Sequence, residues 1–161
     1  MFTRLFAALF ALALAAGVAP AQELQDPILA YSDTVQDITA RFNAKLIEAQ
    51  PYLVWPGSDL EQDERDKIVW KLEVIIDDLS RLKDEMDALA VPADFDEAHK
   101  LIAGAFELYM TALGRCGTGI QRNYVKTFNG GVQDYNGAGT FLDSGFEELE
   151  AALGRAGFVL E

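Results

Sequence analysis

His99 is the only histidine and Cys116 the only cysteine in the 161-residue chain. Any acid–base, metal or redox chemistry must therefore be built around one imidazole and one thiol. Asp96 lies three residues before His99, which on a helix puts the carboxylate and the imidazole one turn apart on the same side. That makes Asp96 and His99 the metal-site candidates. A di-iron bundle, however, needs a Glu-x-x-His motif on each of two helices and further glutamates. Zinc needs at least three converging protein ligands. One chain with one histidine meets neither pattern, so the expectation is no metal and no cofactor, with His99 an amphipathic residue near a helix end. The alternative is a small-ligand or metal carrier that uses an interior site near His99, where Phe95, Phe106 and Tyr109 share its stripe; His99, Phe106 and Tyr109 are the cofactor-site candidates.

Cys116 fails the haem test, because covalent attachment needs Cys-x-x-Cys-His and residues 116–120 read Cys-Gly-Thr-Gly-Ile. Its place between Leu113 and Ile120 suits a buried thiol acting as a small apolar filler. The glycine-rich run from Gly114 to Gly119 follows no strand and precedes no Lys-Ser/Thr pair, so it lacks the context of a phosphate loop. The acidic run from Asp59 to Asp66 resembles a calcium loop only at first sight. Counted from Asp59, an EF-hand needs Gly at position 64 and Glu at 70, and the chain has Glu64 and Trp70. No nucleophile elbow is present, and any histidine-dependent triad would have to use His99 alone. The sequence thus predicts no catalytic residues, and an enzyme of unknown type ranks third among the readings. Pro51-Tyr52-Leu53-Val54-Trp55-Pro56 is the remaining candidate. Tyr52 and Trp55 either contact a partner or plug one end of the core.

The elements that would position these residues follow from apolar spacing. Ile28, Tyr31, Val35, Ile38 and Phe42 recur at 3 and 4, with Leu46 and Ala49 after a small phase slip. Ile68, Leu72, Ile75, Leu79, Leu82, Met86 and Leu89 do the same, as do Phe95, His99, Ile102, Phe106, Tyr109, Leu113, Cys116 and Ile120. This is the period of a helix that buries one face. Ser58 and Glu61 have the form of a capping box. Asp77 and Arg81 form an i,i+4 pair. Pro92 suits a helix start. Arg115, Arg122 and Lys126 read as cations near a helix C-terminus. Asn129-Gly130-Gly131 reads as a turn. Ala138, Leu142, Phe146, Leu149, Leu153 and Ala156 sketch a last helix. The predicted helices are 26–50, 59–90, 93–128 and 133–156, an all-α, up-down-up-down four-helix bundle forming a single domain over residues 22–161.

Residues 1–21 read as a signal peptide. Arg4 precedes an apolar run from Leu5 to Ala16, and Ala19-Pro20-Ala21 has the form of a cleavage site. Twelve apolar residues are too few to span a bilayer, which takes about 20. The style of the leader suggests a bacterial chain exported to the periplasm or beyond, with no membrane insertion once the leader is removed. The net charge is −13, from 26 acids against 13 bases. That excess excludes general nucleic-acid binding, which needs cations to displace counterions. By location, residues 59–97 carry most of the acid, whereas residues 98–128 hold Glu107 against Lys100, Arg115, Arg122 and Lys126. The leading expectation is an exported, acidic helical module of the cell envelope that binds a protein partner or serves a structural role without catalysis.

Overall fold

The computed structural model describes residues 19–158, with side chains from residue 27 onward. The expected leader falls largely outside these residues. The described chain is all helical: α1 (Ala19–Ala49), α2 (Gln62–Asp87), α3 (Asp96–Gln121) and α4 (Val125–Arg155), with short 3-10 turns at Gln50–Leu53 and Ala93–Phe95. Helix α1 starts well before residue 26 and carries Pro27 in its interior.

The apolar stripes become the core. Val35, Phe42, Leu79, Met86, Phe95, Ile102, Phe106, Leu113, Cys116 and Ile120 are all fully buried. Consecutive helices run antiparallel. Arg41 of α1 pairs with Glu85 of α2, and Lys45, one turn later, with Asp78. Gln121 of α3 donates to Asp66 of α2, while Gly117 lies against Leu72. Helices α1 and α3 run parallel across the core: Tyr31 meets Phe95 edge-on at 5.6 Å, and Phe42 stacks on Phe106 with ring centroids 3.6 Å apart.

The α3–α4 pair departs from the expected boundaries. Helix α3 ends at Gln121, and the chain reverses through Asn123, whose φ of 50° is left-handed. The Tyr124 N–H donates to the Gly119 carbonyl and the Asn123 N–H to that of Ile120. This is the glycine-type helix ending, with asparagine taking the left-handed position. Asn129, Gly130 and Gly131 therefore lie inside α4, not in a turn, and Lys126 sits in its first turn, not near the C-terminus of α3.

Close packing explains Gly119, Gly131 and Gly145. A small residue recurs every seventh position on both helices: Ala98, Ala105, Ala112 and Gly119 on α3; Gly131, Ala138, Gly145 and Ala152 on α4. All eight are buried. A methyl group on Gly119 would stand 2.5 Å from the Phe128 nitrogen, one on Gly131 2.6 Å from Cys116 Sγ, and one on Gly145 2.7 Å from Ile102 Cγ1. Small residues let two helix backbones approach more closely than the usual 8–10 Å allows. Large side chains at these positions would wedge the pair apart.

Two local expectations are corrected. Ser58 does not cap α2: the N-cap is Glu61, without a side-chain hydrogen bond. The Ser58 carbonyl instead accepts from Asn123 Nδ2, tying the α1–α2 loop to the α3–α4 turn. Arg81 pairs with Asp78, not Asp77.

Gly119→Ala is expected to destabilise the fold by roughly 1–3 kcal/mol through overpacking against the Phe128 backbone. Gly137, inside α4, has nothing within 4 Å of an added methyl. Gly137→Ala is expected to stabilise by roughly 0.5–1 kcal/mol. Urea denaturation midpoints of the two variants should move in opposite directions.

Candidate functional site

At one end of the core, Tyr31 of α1 and His99 of α3 are brought together. Tyr31 Oη lies 3.2 Å from His99 Nδ1, a hydrogen bond whose direction follows the imidazole tautomer. Tyr31 is buried and its phenol is pushed up to about 12, first by desolvation and then by the charge of Asp96. His99 is half-buried, and desolvation lowers its pKa from 6.5. Asp87 and Asp96 oppose that shift, while Lys83 adds to it. Asp96 itself is exposed and paired with Lys100 at 2.5 Å. The two metal-site candidates are thus on one turn but differently engaged. Among the described residues, no group of three or more His, Cys, Asp or Glu side chains is placed to hold a metal ion.

Phe106 and Tyr109 lie deeper along the same stripe. The Phe42 ring lies face to face with Phe106, and Tyr109 meets Tyr135 of α4 edge-on at 4.8 Å. These rings fill one another's space, which is what aromatic pairs in a close-packed core do. Desolvation raises the phenol of Tyr109 to about 12. Cys116 is fully buried, its sulfur 3.7 Å from the Phe128 carbonyl, and burial pushes its thiol up to about 11. Tyr52 and Trp55 are half-buried and packed on the core, with Trp55 edge-on to Phe128 at 5.4 Å. The Pro51–Pro56 segment covers the end of the core opposite His99, and Val54 stays exposed between the two aromatics.

The cations behave differently from one another. Arg115 reaches Asp134 of α4, and its guanidinium lies where a side chain on Gly130 would stand. Arg122 is exposed at the mouth of a groove between α2 and α3.

That groove, about 510 Å³, was not visible in the apolar stripes. Its floor is Leu72, Leu113, Gly114 and Gly117, and its rim includes Val69, Trp70, Ile76 and Glu73. Gly114 leaves open space, with nothing within 4 Å of an added methyl. Trp70 is 55% exposed and Val74, one turn on, 41%. Lys71 Nζ sits 4.7 Å from the Trp70 ring centroid. Asp66 accepts from Gln121 and Gln62, and the hydrogen bond from Gln121 does most to hold its carboxyl below the usual range. The available sequence signal was Trp70 itself, a large aromatic between the stripe residues Ile68 and Leu72, with Lys67, Lys71 and Glu73 close by in sequence.

The imidazole should titrate with a midpoint below 6.5 by NMR. The unfolded chain takes up that proton first, so this group's contribution to stability is present above pH 6.5. It is lost as the pH falls through the folded value. Alkylation of Cys116 at pH 8 should be slow in the folded protein and fast in denaturant, since the nucleophile is the thiolate. Compared with protein-family models, curated proteins and solved structures, the chain matches none of them.

Proposed function

We propose that the chain is an exported, up-down-up-down four-helix bundle of the bacterial cell envelope, acting as a non-enzymatic binding module for a protein partner. The observation that carries this reading is the exposed Trp70 on the rim of the α2–α3 groove, with Val74 exposed one turn on. Exposed aromatic and aliphatic side chains rimmed by charge are the usual makings of a contact site. The groove is open to solvent, and on the adjoining surface of α2 the exposed acids Asp63, Glu64, Asp66, Glu73 and Asp77 outnumber the exposed bases Lys67 and Lys71. The partner that fits is a cationic amphipathic helix. Its apolar stripe would lie along Val69, Trp70 and Ile76, with Lys or Arg flanks facing Asp66 and Glu73. Export is supported by Arg4, the Leu5–Ala16 run and Ala19-Pro20-Ala21. No described helix is long and apolar enough to cross a membrane.

Affinity capture from envelope extract, run in parallel with wild-type protein and Trp70→Ser, tests the proposal. Wild type should retain a protein that is released as salt rises, and Trp70→Ser should lose it while keeping its helical circular dichroism. Recovery of the bait alone, or retention that Trp70→Ser leaves intact, overturns the proposal.

A further inference from the structure

The face of the α3–α4 pair that points away from the core carries a second groove, about 460 Å³, formed by Glu97, Lys100, Leu101, Gly104, Glu107, Leu108, Thr111 and Phe141. Leu108 is 39% exposed and Phe141 51%. Leu101, Gly104, Leu108 and Thr111 repeat at 3, 4 and 3, so α3 bears an outward stripe besides its core stripe and its small-residue stripe. Gly104 is mid-helix, where glycine weakens the helix. Nothing among the described residues explains it, for outside its own stretch of helix none of their heavy atoms lies within 4 Å of an added methyl. This sets it apart from Gly119, Gly131 and Gly145, which α3–α4 packing requires.

From these features we infer that the outer face of α3 and α4 pairs with a second copy of this chain across a two-fold axis at Gly104. The stripe is nearly palindromic about that residue. Lys100 and Leu101 lie three to four positions before Gly104, and Glu107 and Leu108 three to four positions after it. An antiparallel α3–α3 crossing there sets Leu101 of each copy against Leu108 of the other, and Lys100 against Glu107. Such self-complementarity is what a two-fold interface demands. The glycine lets the two backbones approach, and Phe141 from α4 extends the apolar contact. Lys100 presently holds Asp96 on the surface, and an exposed pair of this kind is weak enough to exchange. The groove itself is close to neutral on a chain that carries −13, holding Lys100 against Glu97 and Glu107. Two copies meeting here keep their acidic α2 surfaces apart.

Sedimentation equilibrium of the chain, with and without reductant, tests the interface. Wild type should dimerise at concentrations up to about 100 µM, a range that captures weak specific pairs. Lys100→Glu and Glu107→Lys should each weaken the dimer about tenfold, and the double reversal should restore it, as expected for charges that meet across an interface. Gly104→Leu should give a monomer whose helicity and melting are not reduced, since the monomer has room for the side chain. A wild-type chain that stays monomeric overturns the inference. So does a dimer indifferent to Gly104→Leu, or one that the double reversal fails to restore. Trp70→Ser leaves this face untouched, so failure of the partner proposal and failure of the dimer are separately visible.

Discussion

The close approach of α3 and α4 is the constraint on which the rest of the molecule depends. With a buried small residue at every seventh position of both helices, their backbones nearly touch, and little side-chain volume lies between them. The large residues of both helices must then project to one side of the pair or the other. On the inner side they meet α1 and α2: Phe42 stacks on Phe106, Tyr31 meets Phe95 edge-on, and Leu72 sits against Gly117. The outer side is left with Leu108 and Phe141 exposed. The bundle is therefore asymmetric, with one contact made by backbone proximity and the others by side-chain bulk.

This asymmetry also explains what could be read from the residues in order and what could not. The three core stripes were legible because burial of one helix face imposes its period on a single segment, and Phe95 through Ile120 kept that period into the core. The α3–α4 boundary was not. Asn129-Gly130-Gly131 has the composition of a turn, but glycine serves two physical needs, positive φ and close approach. The choice between them depends on what lies opposite. Gly131 faces Cys116, and that neighbour is fifteen residues away in the chain. The actual turn used Asn123, a residue that tolerates the left-handed region, without glycine to mark it. The Ser58 box failed for a related reason: the loop it would have closed is held instead by Asn123, from the other end of the fold.

The residues with the most chemical potential turned out to be the ones most absorbed by packing. Cys116 contributes volume beside Gly131, and its thiol is held protonated far above neutrality. His99 bonds to Tyr31, and Asp96, its nearest candidate co-ligand in sequence, bonds to Lys100. Phe106 and Tyr109 are occupied by other rings. Sequence order places such groups on the correct face but says nothing about which neighbour they meet. The surface features went the other way. Trp70, Leu108 and Phe141 lie off the core stripes, so a reading that follows apolar period passes over them, and only their exposure in the fold distinguishes them.

The open glycines join these observations. Gly104 and Gly114 both sit inside α3, and neither is required by any contact within the described chain. Each costs a helix roughly 1 kcal/mol relative to alanine, a deficit the bundle has to offset with core packing. Gly104 lies in the outer groove of the α3–α4 pair, and Gly114 in the groove between α2 and α3. A glycine that gives nothing to the monomer, placed in a groove beside an exposed aromatic ring, has a physical purpose if another backbone is to come close. On that reasoning α3 is the organising helix of the molecule. One of its faces builds the core, another admits α4, and the two remaining flanks hold the open glycines Gly104 and Gly114, in grooves lined also by Phe141 and Trp70.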